Sequence, residues 1–182
     1  MLRLKPLFSV LLVILLAGPV AAQAPATERL RAALLAGTSA TQVLTQYCAE
    51  LKLATPPVIR ALQGGAQIPA PPDVRAALKA ADGEAVRHRR VRLVCGDYVL
   101  SHADNWYLPA RLTPQMNRLL DETQTPFGTV VRPLDFHRQT LEAEPLRGPE
   151  AILRIRALLL TRENVPFSLV VENYSPDLVA PR

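Results

Sequence analysis

Two cysteines in 182 residues are too few for a disulfide-built scaffold, and too few for a structural zinc site made of four thiolates. Three scattered histidines exclude a His-rich metal carrier. The chain holds no HExxH, no CxxC, no GxSxG elbow and no Walker loop, so zinc peptidase, thioredoxin-like, hydrolase and nucleotidase readings lack residues to carry them. Gly64-Gly65 reads as a flexible loop and not as a phosphate cradle, because no strand is read before it. A second long apolar run is also missing: nothing beyond the first 22 residues approaches the roughly 18 residues of a membrane span. Internal repeats and low-complexity tracts are absent. The length fits one domain after loss of a leader.

What is present begins with that leader. Residues 1–22 read as a secretory signal peptide: Arg3 and Lys5 form the basic region, Leu7 to Leu16 the apolar region, and Val20-Ala21-Ala22 the small residues before the cut. The expectation is cleavage after Ala22, a mature domain over 23–182, and a periplasmic or secreted location. Losing Arg3 and Lys5 lowers the formal charge from +5 to +3, too little to imply a polyanion partner. Hydrophobic residues at 49% and charged residues at 20% give an ordinary globular balance. Export leaves two readings of Cys48 and Cys95: a disulfide in an oxidising compartment, or two buried thiols.

The mature chain starts helical. Thr27 to Gly37 is a short amphipathic run, and Ser39 caps a second helix with Val43, Leu44, Tyr47 and Leu51 on one face. Pro56-Pro57 ends that element, Gly64-Gly65 and Pro69 to Pro72 mark a loop, and a short helix follows from Asp73 to Lys79. The pattern then turns to strands. Val86–Cys95 alternates, with Val91, Leu93 and Cys95 on one side and Arg90, Arg92 and Val94 on the other. Gly96-Asp97 turns into Tyr98–Tyr107, and Thr113-Pro114 opens a helix through Leu120. Thr125 to Gly128 is a tight loop. Strands are expected at 129–132, 134–143, 152–161 and 165–174. Helices before hairpin-linked strands predict an α+β fold with an antiparallel sheet.

Two residues stand out for chemistry. Arg90 and Glu172 each sit in an otherwise apolar strand, where a charge must face water, be paired, or be used. His102 and Asp104, two apart on a strand, have the types of an acid–base pair or of a surface hydrogen bond. The basic run from Arg87 to Arg92 splits between two strand faces and has few aromatics within it, so nucleic acid is not an expected partner.

From Arg90 onward the chain resembles chorismate lyase (chorismate–pyruvate lyase). The resemblance rests on Arg90 five residues before Cys95, Pro109 closing the second strand, Thr125-Pro126-Phe127-Gly128, and Pro166 leading to Glu172 and Pro176. Leu34-Leu35 and Ser39-Ala40-Thr41 resemble the family's N-terminal helices more weakly. The resemblance implies a single α+β domain on a six-stranded antiparallel sheet, with helical flaps over an internal ligand cavity. It implies that Arg90 binds a ligand carboxylate, that Glu172 contacts a ring hydroxyl, and that main-chain groups at Phe127 and Ala40 complete the pocket. The implied reaction eliminates pyruvate from chorismate to give 4-hydroxybenzoate, with no metal or organic cofactor. Arg90 and Glu172 are then the catalytic candidates, with Glu172 an acid, a base or an orienter.

The chain departs from the family in three places. Ala40 replaces a bulkier Met, Arg92 shares the face of Arg90 and is a candidate partner of Glu172, and the stretch from Pro166 to Glu172 is one residue longer, which predicts a bulge. The first functional expectation is a chorismate lyase-like enzyme. The alternative is a non-catalytic periplasmic binding module for a small aromatic carboxylate, since effector-binding domains of some bacterial regulators are similar to this fold. A structural envelope protein, with a filled cavity, is the third. A monomer with no membrane span after leader cleavage is expected.

Overall fold

The computed structural model describes residues 20–180. The leader reading therefore lies outside the described residues except at its end, where Val20 to Ala22 are taken into the first helix. That helix, α1 (Val20–Ala36), and α2 (Ala40–Glu50) are joined at Gly37, where an added Cβ would lie 2.9 Å from Val43 Cγ2. Leu30 and Leu34 of α1 and Val43, Leu44 and Cys48 of α2 are buried, which is the apolar spacing of the sequence put to use.

Six strands form one antiparallel sheet: β1 (Ile59–Gln63), β2 (Arg87–Cys95), β3 (Tyr98–Tyr107), β4 (His137–Pro145), β5 (Leu153–Leu160) and β6 (Pro166–Tyr174). Their order is β1-β2-β3-β6-β5-β4. Three further helices are α3 (Pro72–Ala77), α4 (Pro114–Glu122) and α5 (Phe127–Val130). Thr113 caps α4 as expected, its hydroxyl oxygen accepting from Met116 N at 3.1 Å.

The two faces of the sheet are packed differently. The inner face carries Val91, Leu93, Cys95, Ala103, Tyr107, Ile155, Ala157, Val170 and Tyr174, and meets α1, α2, α4 and α5 in the main core. The outer face is covered by α3, whose Val74, followed by Leu78, packs on Trp106, Leu158, Leu169 and Val171. Along β2 and β3 the same face also carries Arg90, Arg92, His102 and Asp104.

Two elements differ from expectation. Residues 129–132 are not a strand: Thr129 and Val130 both donate to Pro126 O, and α5 continues into a 3-10 turn at Arg132–Leu134. The sixth strand is β1 instead, in a stretch read as connection, and it pairs with β2 from Ile59↔Cys95 to Gln63↔Val91. The bulge expected between Pro166 and Glu172 is present, as a register shift where Leu160 pairs Pro166 and Leu159 pairs Ser168. Of the two readings of the cysteines, the disulfide is the one found: Cys48 on α2 is bonded to Cys95 on β2, with Cα atoms 6.3 Å apart.

Candidate functional site

Between the inner face of the sheet and the N-terminal ends of α2 and α5 lies a cavity of about 30 Å³. A space of that size holds one or two ordered waters. Its wall includes Ser39, Ala40 and Thr41 from α2, Phe127 and Gly128 from α5, and Asn105, Arg138 and Glu172 from the sheet. Three of the four residues singled out in the sequence, Glu172, Phe127 and Ala40, thus meet at one place.

Glu172 faces inward because it shares a register row with Ala103 of β3 and Ile155 of β5, both core residues. Its carboxylate is matched by Arg138, on edge strand β4, which reaches over β5. Arg138 Nη2 donates to Glu172 Oε2 at 2.5 Å, and Tyr174 Oη donates to the same oxygen at 2.8 Å. The side chains of Arg138 and Glu172 are only 5% and 7% exposed. Burial alone would lower the Arg138 pKa, but the Glu172 carboxylate outweighs it and holds the guanidinium above its ordinary value. Burial, reinforced by the same carboxylate, pushes the Tyr174 phenol well above its ordinary range.

This cluster is not explained by stability. A buried ion pair returns little net energy after desolvation, and each unmet buried polar atom costs about 1–3 kcal/mol. Yet Arg138 Nε and Asn105 Oδ1, both buried in the cavity wall, have no hydrogen-bond partner. One is a charged donor and the other an acceptor. The N-terminus of α2 adds to them: Ser39 occupies the cap position, but its side chain makes no cap bond, so the first N–H groups of the helix stay free of one.

Arg90 does not join them. It pairs with Asp104 of β3, in the register row one position from the Val91–Ala103–Glu172 row, so its side chain leaves from the outer face. Its Nε donates to Asp104 Oδ1 at 2.7 Å and its Nη2 to Oδ2 at 3.2 Å, with the side chain 43% exposed. The expectation that Arg90 and Glu172 converge on one cavity is therefore corrected, and with it the role of Arg90 as the carboxylate anchor. Arg92 lies on the same outer face and does not pair Glu172. His102 and Asp104 do not form a pair either, because Asp104 is engaged by Arg90 and by His88. His88 Nδ1 accepts from Ile68 N at 3.0 Å, which leaves Nε2 to donate to Asp104 Oδ1 at 2.8 Å.

The neighbour, Arg89, is the arginine of β2 that turns inward. Its Nε donates to Leu120 O at 3.2 Å and its Nη2 to Thr125 O at 3.4 Å, so it serves the carbonyls at the end of α4. Burial lowers its pKa. The residue that sequence reasoning missed is Arg138. It sits in His137-Arg138-Gln139-Thr140, a polar edge strand with no apolar alternation to mark an inward position. Among the described residues no group of three His, Cys, Asp or Glu side chains is placed to hold a metal ion, and no helix is long and apolar enough to cross a membrane.

Comparison with solved structures shows a likeness to PhnF from Mycobacterium smegmatis, with a TM-score of 0.55 and 11% identity over 80% of this chain and 67% of that one. The effector domain of PhnF alone matches with a TM-score of 0.49 and 12% identity, over 66% of this chain and 82% of that one. The likeness to PhnF shows the fold, and the α+β, chorismate lyase-like architecture with its six-stranded antiparallel sheet is the one expected. No family model matches the chain. A Sinorhizobium fredii protein described as uncharacterized protein y4mC is 37% identical over 177 residues, covering 84% of this chain and 74% of that protein. By that identity and coverage the chain belongs to the family of y4mC.

Proposed function

We propose that the protein is an exported binding module for a small aromatic carboxylate, held at the cavity between the sheet and the starts of α2 and α5. The observation that carries this reading is the buried Arg138 guanidinium in the cavity wall, whose Nε has no hydrogen-bond partner. A carboxylate supplies the acceptor that Arg138 lacks, in a setting where low polarity strengthens the contact. The N-terminal end of α2, which has no side-chain cap bond, favours the same sign of charge. Phe127 and Phe136, also in the wall, suit a ring. The Cys48–Cys95 disulfide supports export, since such bonds persist in oxidising compartments.

A second reading, pyruvate elimination from chorismate, is favoured by Glu172, Phe127 and Ala40 lining one cavity, as the family resemblance implies. It loses Arg90, and Arg138 takes over the carboxylate. One experiment separates the two. Purified mature protein is titrated with 4-hydroxybenzoate by calorimetry and incubated with chorismate in a pyruvate assay. Binding without pyruvate release supports the module, release supports the lyase, and neither binding nor release overturns both.

A further inference from the structure

The strap 64–71, which joins β1 to α3, is held to the outer face of the sheet by few contacts. It contains no charged residue, and Gly64, Gly65, Ala66, Gln67 and Pro69 are exposed. At one end Gly64 N donates to Arg90 O at 3.2 Å, and at the other Ala70 packs on the buried cluster of Trp106, Leu158 and Leu169. Between these ends, among the described residues, the backbone of 65–70 makes a single hydrogen bond. Ile68 N donates to His88 Nδ1 at 3.0 Å.

That bond fixes the charge of the imidazole. A backbone N–H can only donate, so Nδ1 keeps its lone pair and the ring is neutral, with its hydrogen on Nε2 facing Asp104 at 2.8 Å. The His88 side chain is 2% exposed, and its ring lies 4.9 Å from that of Trp106. Two charged groups face it, Asp104 and Arg90, themselves joined by two hydrogen bonds. Arg92 and His102 occupy the next register row, beyond that pair. On α3, Asp73 is bonded to Arg156, and Arg75 to the carbonyls of Ala81 and Glu84. We infer that His88 is an acid-sensitive latch for the strap. When Nδ1 takes a proton, both ring nitrogens become donors, and turning the ring over restores no acceptor to Ile68. The bond to Asp104 becomes charge-assisted while the bond to the strap is lost, so 65–69 lifts in acid and docks again as pH rises. The latch lies on the face of the sheet away from the cavity and does not depend on the proposed ligand.

The test follows wild type and His88→Gln by NMR from about pH 8 to about pH 5, the range in which histidines change charge. Ring shifts of His88 report its protonation, and the exchange protection of the Ile68 amide reports the latch. Protection at Ile68 is expected to fall about tenfold, with the midpoint of the His88 ring titration. The amide of Ala61, which donates to Gln124 O at 2.7 Å, should keep its protection and so exclude general unfolding. In His88→Gln, which gains no proton, Ile68 protection should not depend on pH; if that variant does not fold, the wild-type titration decides alone. A ring that becomes charged while Ile68 stays protected would overturn the latch, and so would a ring that stays neutral down to about pH 5. A fall in Ile68 protection that persists in His88→Gln would assign the response to another group and overturn it as well.

Discussion

Arg138 and Glu172 meet across an intervening strand, on a carboxylate oxygen that also accepts from Tyr174. Glu172 therefore does two things at once. It compensates a guanidinium whose charge would otherwise be buried unpaired at 5% exposure, and it occupies the side of that guanidinium that a ligand carboxylate would also seek. The cluster holds the cation in place and limits its affinity.

Glu172→Gln should separate these effects. Removing the buried negative charge leaves Arg138 uncompensated, and stability should fall by about 3 kcal/mol. The same change should tighten 4-hydroxybenzoate about tenfold, because the ligand no longer competes with a resident carboxylate. Thermal melts with and without the acid would show a lower midpoint and a larger ligand-induced rise than in wild type. An unchanged or smaller rise would show that the ligand does not use Arg138.

Arg90→Ala should leave aromatic-acid affinity unchanged. Its guanidinium lies on the outer face with Asp104, on the other side of the sheet from the cavity. The exposed pair contributes no more than about 1 kcal/mol of stability. Calorimetry on this variant checks the face assignment directly: a tenfold or greater loss of affinity would contradict it.

The phase of β2 was already legible in the sequence. Val91, Leu93 and Cys95 on one side place Arg89, not Arg90, on the core face. The resemblance selected the residue by its distance from Cys95, and period 2 would have selected its neighbour. Glu172 was legible because it interrupts an apolar run. Arg138 was not, since the half-buried side of edge strand β4 is carried by the polar residues Arg138 and Thr140, so no apolar alternation marks it. Local propensity also misled at Thr129-Val130-Val131, three β-branched residues that form a helical turn because Pro126 O takes their first N–H groups. At β1 the flanking Pro56-Pro57 and Gly64-Gly65 suggested a loop. Five of the six residues between them, Ile59–Gln63, gain their strand identity from β2, a long-range pairing that local sequence does not announce.

Asp104→Asn should cost stability in a pH-dependent way. Hydrogen bonds from Arg90 and His88 outweigh the opposing effect of burial and hold the Asp104 carboxyl below its ordinary value. A lowered folded-state pKa gives stability that is complete above the unfolded pKa and is lost as pH falls through the folded one. At neutral pH the variant should therefore be about 1–2 kcal/mol less stable than wild type, and the difference should shrink as pH falls below about 4. Urea midpoints measured at neutral pH and in acid would show this, and a pH-independent difference would refute it.

The Cys48–Cys95 bond joins the helix whose start walls the cavity to the last residue of β2, beside edge strand β1. With 47 positions between its ends, loop-closure entropy predicts a contribution of about 4 kcal/mol. Reduced protein, or the Cys48→Ala, Cys95→Ala double variant, should unfold at a clearly lower urea concentration than oxidised protein. The bond anchors α2 near its C-terminal end and leaves Ser39, Ala40 and Thr41 at the other end free of a covalent tie. Breaking it should therefore loosen the wall of the cavity less than it lowers global stability. The expected result is a large shift of the unfolding midpoint with no more than about a threefold change in 4-hydroxybenzoate affinity, measured well below the transition. Loss of binding in reduced protein that remains folded by circular dichroism would mean instead that the disulfide sets the position of α2 along its whole length, and that the redox state of this pair governs access to the site.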